Sequence, residues 1–124
     1  MLKVLILQDD PIAAVLLQEA IEAAGHAVAG WAMNAEDAVA LTATHRPDLL
    51  IIDTDLDAFD ASTESVLEIG RKADAQIVFL TNGDERVREA LATLQPVAIL
   101  DLPWREESLR TALDRADSAR PSQV

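Results

Sequence analysis

A chain of 124 residues, half of them hydrophobic and none of them cysteine, is long enough for one domain with a real core and excludes disulfide or thiol chemistry. Its formal charge of −12 argues against nucleic acid or an anionic membrane as a direct partner. No apolar run approaches the length of a membrane span, and the first ten residues do not read as a secretory signal, so a cytoplasmic location is expected. Aromatic residues make up only 3% of the chain, so the core must be built from Leu, Ile, Val and Ala.

In chain order, Val4-Leu5-Ile6-Leu7 is a short apolar run that ends in Gln8, Asp9 and Asp10. A run this short without interruption suits a strand covered on both faces, as in a parallel sheet. Asp10 before Pro11 reads as the N-cap of a helix with proline at its first position. Ile12, Val15, Leu16, Glu19, Ala20 and Ala23 fall at helical spacing, and Gly25 ends the helix. Ala27 to Ala32 is a weak second strand. Asn34 caps a helix expected to turn Ala35, Val39, Ala40 and Leu41 inward and to stop before Pro47. Leu49 to Ile52 is a third strand that runs straight into Asp53, with Asp55, Asp57 and Asp60 close behind. Ser62 or Thr63 can cap a helix carrying Val66, Leu67 and Ile69, with Gly70 as its end. Gln76 to Leu80 forms a fourth strand leading to Thr81-Asn82-Gly83, and Val87, Ala90, Leu91 and Leu94 mark a fourth helix. Val97 to Leu100 is the fifth strand. Leu102-Pro103-Trp104 turns the chain into a last helix with Leu109, Ala112, Leu113 and Ala116 on one stripe. The residues from Ser118 onward form a polar tail.

Strands that alternate with helices in this way imply a parallel sheet wrapped on both faces with right-handed crossovers. In such a sheet the residues just past each strand share one rim, where ligands of open α/β folds bind. Gln8, Asp9, Asp10, Asp53, Asp55, Thr81 and Leu102 fall there. Carboxylates with carbonyl oxygens, and no His or Cys beside them, describe a hard-cation site for Mg²⁺. The competing reading of the acids is a solvated loop that merely terminates a strand. His26 and His45 fall at helix ends on the opposite rim and read as surface caps.

Together these segments resemble the receiver domain of two-component response regulators, over nearly the whole chain. Leu5-Ile6-Leu7-Gln8-Asp9-Asp10-Pro11 is similar to the family's first strand and acidic cluster, and Pro47-Asp48-Leu49-Leu50-Ile51-Ile52-Asp53 to the strand carrying its phospho-accepting aspartate. Ile77-Val78-Phe79-Leu80-Thr81 is similar to the fourth strand with its hydroxyl residue, and Leu102-Pro103-Trp104 stands in the place of Lys-Pro-aromatic. The resemblance implies a flavodoxin-like α/β domain over residues 1–118, strand order 2-1-3-4-5, with residues 119–124 as a disordered tail. It implies Asp53 as the acceptor of a phosphoryl group from a histidine kinase or phosphotransfer protein. Asp9, Asp53 and the backbone carbonyl of Asp55 would hold Mg²⁺, the Thr81 hydroxyl would donate to a phosphoryl oxygen, and Leu102–Pro103 would be a cis peptide. Beyond self-phosphorylation, no enzymatic activity is implied.

The pattern also departs from the family. Gln8 stands where the acidic pair has its first carboxylate, Leu102 where the lysine belongs, and Ile99 where an aromatic switch residue belongs. Asn82, next to Thr81, replaces a small residue. Loss of one carboxylate and one ammonium leaves the formal charge of the cluster unchanged. The phosphorylated state loses more, because a charged hydrogen bond to a phosphoryl oxygen is worth roughly 1.5–3 kcal/mol. Arg105 is a candidate substitute for the lysine, and Trp104 is expected near the rim as a fluorescent reporter.

The sequence thus describes an atypical receiver with weakened switching, or else a phosphorylation-independent interaction module on the same fold. A haloacid-dehalogenase-type phosphatase is a third reading of Asp53-Thr54-Asp55, disfavoured by Asp57 and by the lack of room for a cap domain. With no output domain after the last helix, a stand-alone regulator or an excised receiver is expected. A homodimer could form through the fourth helix, fifth strand and fifth helix, which offer Arg86, Arg88, Glu89, Arg105, Glu106 and Arg110.

Overall fold

The apolar runs become the sheet. The computed structural model describes residues 1–54 and 63–120, with the side chains of residues 63–67 excepted. Among them the order is β1 (Lys3–Leu7), α1 (Pro11–Ala23), β2 (Ala27–Ala32), α2 (Ala35–His45), β3 (Leu49–Asp53), α3 (Thr63–Lys72), β4 (Gln76–Thr81), α4 (Glu85–Ala92), β5 (Ala98–Asp101) and α5 (Glu106–Ser118). All the strand pairs are parallel, in the order β2-β1-β3-β4-β5. The alternating pattern implied the parallel pairing, and the resemblance to receiver domains implied this strand order. A parallel sheet needs cover on both faces, and strand alternation supplies two apolar layers. Val4, Ile6, Leu49, Ile51, Val78 and Leu80 face Leu17 and Ile21 of α1 and Leu109, Ala112, Leu113 and Ala116 of α5. Leu5, Leu7, Leu50, Ile52, Ile77 and Phe79 face Ala38 of α2, Ile69 of α3 and Leu91 of α4.

Local chemistry sets the helix ends. The Asp10 side chain accepts from the Ile12 N–H and begins α1, as Asn34 does from Asp37 for α2 and Asp84 from Val87 for α4. Helix α1 closes in a Schellman turn. Gly25 sits at φ +90, its N–H donates to the Glu22 carbonyl, and the His26 N–H donates to that of Ile21. At the far end of the chain, the Arg120 guanidinium donates to the Met1 carbonyl and pairs with Asp48 and Asp117.

Four expectations are corrected by the packing. In α1 the buried stripe is Ala14, Leu17 and Ile21, whereas Ile12, Val15 and Leu16 are exposed at 73, 53 and 52%. Both sets satisfy helical spacing, and a helix this rich in apolar residues does not say which of its faces meets the sheet. In α2 it is Ala38 that is buried, with Ala35 and Leu41 packing beside it, while Val39 and Ala40 face outward. Gly70 does not end α3, which continues to Lys72. It is buried where a Cβ would lie 2.6 Å from Leu94 Cδ1 and 3.0 Å from Ile77 Cδ1, so glycine lets the helix approach the sheet. His26 is not a surface cap either. It is 8% exposed, and its Nδ1 accepts the Leu2 N–H at 2.9 Å, so the ring satisfies a backbone donor at the edge of the core.

Candidate functional site

Sheet register decides which residues meet. Leu7 pairs with Ile52, Asp53 with Leu80, and Thr81 with Asp101, so the carboxyl ends of β1, β3, β4 and β5 finish level. Pairing runs one step beyond the strands: Gln8 donates to the Ala32 carbonyl, Thr54 to that of Leu80 and Leu102 to that of Thr81. Gln8, Asp53, Thr81 and Leu102 are thereby placed along one rim, with the central strand β3 at its middle.

Three of these side chains are polar and buried: Asp53 is 7% exposed, Gln8 4% and Thr81 0%. The Gln8 Nε2 donates to Asp53 Oδ2 at 2.5 Å, a charge-assisted bond across the β1–β3 boundary. On its other side the Gln8 Oε1 accepts the Asp10 N–H at 3.0 Å. The two bonds together fix the amide orientation, because a flipped amide would set an oxygen against a carboxylate and a nitrogen against an N–H. The Gln8 carbonyl in turn accepts the Trp31 Nε1–H at 2.5 Å. Asp10, the N-cap of α1, is thus linked through one glutamine to the Asp53 carboxylate.

On the other flank the Thr81 Oγ1 accepts the Gly83 N–H at 2.8 Å, which leaves the hydroxyl proton available to an acceptor on the rim. This turn depends on glycine: a Cβ on Gly83 would lie 2.6 Å from Val87 Cγ1 and 2.8 Å from Thr81 Oγ1. Asn82 is exposed, and Asp9 is half-buried just past β1. Asp55, whose carbonyl was expected to ligate metal, lies outside the described residues, as do Asp57 and Asp60.

Leu102 packs with Leu100 and Trp104 against the apolar layer of α1 and α5. The Leu102–Pro103 peptide is cis. Ile99 packs on the opposite layer, with Val87 and Leu94 around α4. Arg105, at the N-cap of α5, is exposed and lines a shallow hollow with Ile99, Asp101, Pro103 and Ser108. Of the charges expected on the α4–β5–α5 face, Arg88 pairs with Asp101 within the chain.

Among the described residues no group of three His, Cys, Asp or Glu could hold a metal. Asp9 follows β1 and Asp53 ends the adjacent β3, and the side chain that reaches Asp53 from the end of β1 is the Gln8 amide rather than an acid. Sequence reasoning counted Gln8 as a lost acid and missed what it gains, a donor aimed at Asp53. The signal was present: an amide stood directly after the strand beside the one that ends in Asp53. Trp31 was missed as well, although it touches the site through Gln8, whereas Trp104 packs on the α1–α5 layer.

The sequence profile of the response regulator receiver domain matches residues 4–114. The chain belongs to the response regulator receiver domains. Among curated relatives, this receiver is 34% identical over 111 residues to the transcriptional regulatory protein PdtaR of Mycobacterium tuberculosis, a match covering 81% of the chain and 52% of the relative. It is 30% identical over 125 residues to the positive alginate biosynthesis regulatory protein of Pseudomonas aeruginosa, covering 99% of the chain and 49% of the relative. The receiver spans about half the length of these curated relatives. Among solved structures, the signal receiver domain of a modulated diguanylate cyclase from Desulfovibrio desulfuricans superposes with a TM-score of 0.80 at 26% identity, covering 94% of this chain and 93% of that one. The receiver domain of the PhyR response regulator from Erythrobacter litoralis gives 0.77 at 26% identity, covering 99 and 96%. No helix among the described residues is long and apolar enough to cross a membrane.

Proposed function

We propose that this receiver accepts a phosphoryl group on Asp53 from a histidine kinase or phosphotransfer partner in the cytoplasm, with weakened conformational switching. The observation that carries the reading is the Asp53 carboxylate at the end of the central strand, buried yet held by a donor from β1, with Thr81 ending the adjacent β4. In the transfer an Asp53 oxygen attacks phosphorus, the new O–P bond forms, and the N–P bond to the donor histidine breaks with the electron pair returning to the imidazole. Such a reaction depends chiefly on positioning and charge stabilisation, and the bond from Gln8 to Asp53 supports the first of these. Asp9 and Asp53 would hold a divalent cation, which supplies charge neutralisation at the transferring oxygens when bound. The Thr81 hydroxyl is the donor on the β4 side for a phosphoryl oxygen.

Weakened switching follows from Leu102 and Ile99. An alkyl group packed on the α1–α5 layer offers no cation to the phosphoryl group, and an aliphatic residue has no ring to reorient beside α4. The test is intact-protein mass spectrometry after incubation with acetyl phosphate and Mg²⁺. A gain of about 80 Da that disappears in Asp53→Ala is expected. No gain at any dose would instead favour an interaction module independent of phosphorylation, the reading supported by the apolar packing of Leu102.

A further inference from the structure

We propose that Gln8 is a positioning residue that donates to Asp53 in place of the missing lysine, and that it thereby sets a low cation affinity for the site. The inference rests on reading Asp9 and Asp53 as the cation and phosphoryl site. An acidic hollow ordinarily needs a positive partner, since neighbouring carboxylates repel one another. Here the side chain on β1 has exchanged a negative charge for an N–H donor. One Nε2 proton is given to Asp53 Oδ2 at 2.5 Å, and one lone pair of the amide oxygen accepts the Asp10 N–H at 3.0 Å.

Two consequences follow for a divalent cation. The Gln8 side chain contributes no carboxylate, and its neutral oxygen is held toward the Asp10 N–H at the head of α1. A cation approaching Asp53 Oδ2 must also displace a charge-assisted bond made in a site 4–7% exposed, where such bonds are strong. The same bond orients the Asp53 carboxylate in the absence of metal. Gln8 therefore trades metal affinity for a carboxylate already held in position.

The first measurement is the side-chain amide region of the ¹⁵N–¹H correlation spectrum, with the Gln8 pair assigned by its loss in Gln8→Leu. The wild-type pair is expected to show one strongly downfield, slowly exchanging proton that returns to the free-amide position in Asp53→Ala. A Gln8 pair at the free-amide position, unmoved by Asp53→Ala, would overturn the proposal. The second measurement is a MgCl₂ titration followed by Trp31 fluorescence in a Trp104→Phe background, since the Trp31 indole is bonded to the Gln8 carbonyl. Gln8→Asp is expected to bind Mg²⁺ at least tenfold more tightly than wild type, and equal affinities would overturn the proposal. Gln8→Glu, which keeps the side-chain length, serves as the second carboxylate variant, and circular dichroism checks that each variant folds. Acetyl phosphate labelling of Asp53 is scored separately. A chain that never labels, yet shows the Asp53-dependent Gln8 signal and the tightened Gln8→Asp binding, upholds this inference and removes the phosphoryl reading alone.

Discussion

Single side chains govern what this rim can do. Leu102 is the residue whose replacement speaks most directly to signalling. Its side chain packs on the α1–α5 layer beside Trp104, but it also follows β5 at the same level as Thr81, to whose carbonyl its N–H donates. A lysine there can keep its methylene stem on that apolar layer while its ammonium reaches the rim. Leu102→Lys is expected to raise the phosphorylated fraction at a fixed acetyl phosphate concentration. A charged hydrogen bond of roughly 1.5–3 kcal/mol corresponds to about a tenfold to hundredfold gain in the phosphorylation equilibrium. Phosphate-affinity electrophoresis would report it, and an unchanged fraction would mean that the absent cation does not limit the reaction.

At the scale of elements, α1 shows how little periodicity alone can say. Its sequence carries two interleaved apolar stripes, and the sheet accepts the one containing Ala14, Leu17 and Ile21. Two adjacent leucines therefore have different fates. Leu17 is 1% exposed inside the core, and Leu16 is 52% exposed on the helix surface. Truncation of a buried leucine removes its contacts and leaves a cavity, costing about 2–5 kcal/mol. Truncation of a surface leucine typically changes stability by within about 0.5 kcal/mol. Urea unfolding of Leu17→Ala and Leu16→Ala should thus separate by more than about 1.5 kcal/mol, and equal losses would contradict the assigned face. Gly70 teaches the same lesson for α3. A glycine that reads as a stop signal is placed by its contact with Leu94 and Ile77, a reason invisible along the chain.

Over the whole molecule the dominant quantity is charge. A formal −12 on 124 residues acts against compaction by self-repulsion, and added salt screens it. Thermal midpoints at neutral pH should rise as NaCl goes from about 10 mM to 500 mM, because the Debye length falls several-fold over that range. A falling midpoint would show that the attractive pairs, such as Arg88 with Asp101 and Arg120 with Asp48 and Asp117, outweigh the net repulsion.

What the sequence determined by itself is the alternating α/β pattern and the roster of the rim, with the strand order supplied by the resemblance to receivers. Short apolar runs such as Leu49 to Ile52 suit strands covered on both faces, and helical segments between them favour parallel pairing. Residues directly after those strands must then share one end of the sheet, so Gln8, Asp53, Thr81 and Leu102 were legible as neighbours in kind. Tertiary structure alone decided how they are used. Whether Gln8 is a missing acid or a present donor depends on an amide orientation fixed by Asp53 on one side and Asp10 on the other. Whether His26 is a cap or a core acceptor depends on the Leu2 N–H, 24 residues away along the chain. Strand and helix patterns are set by interactions between near neighbours, which sequence records. Hydrogen-bond partners and buried faces are set by groups distant in sequence, and these meet only once register and packing have been fixed.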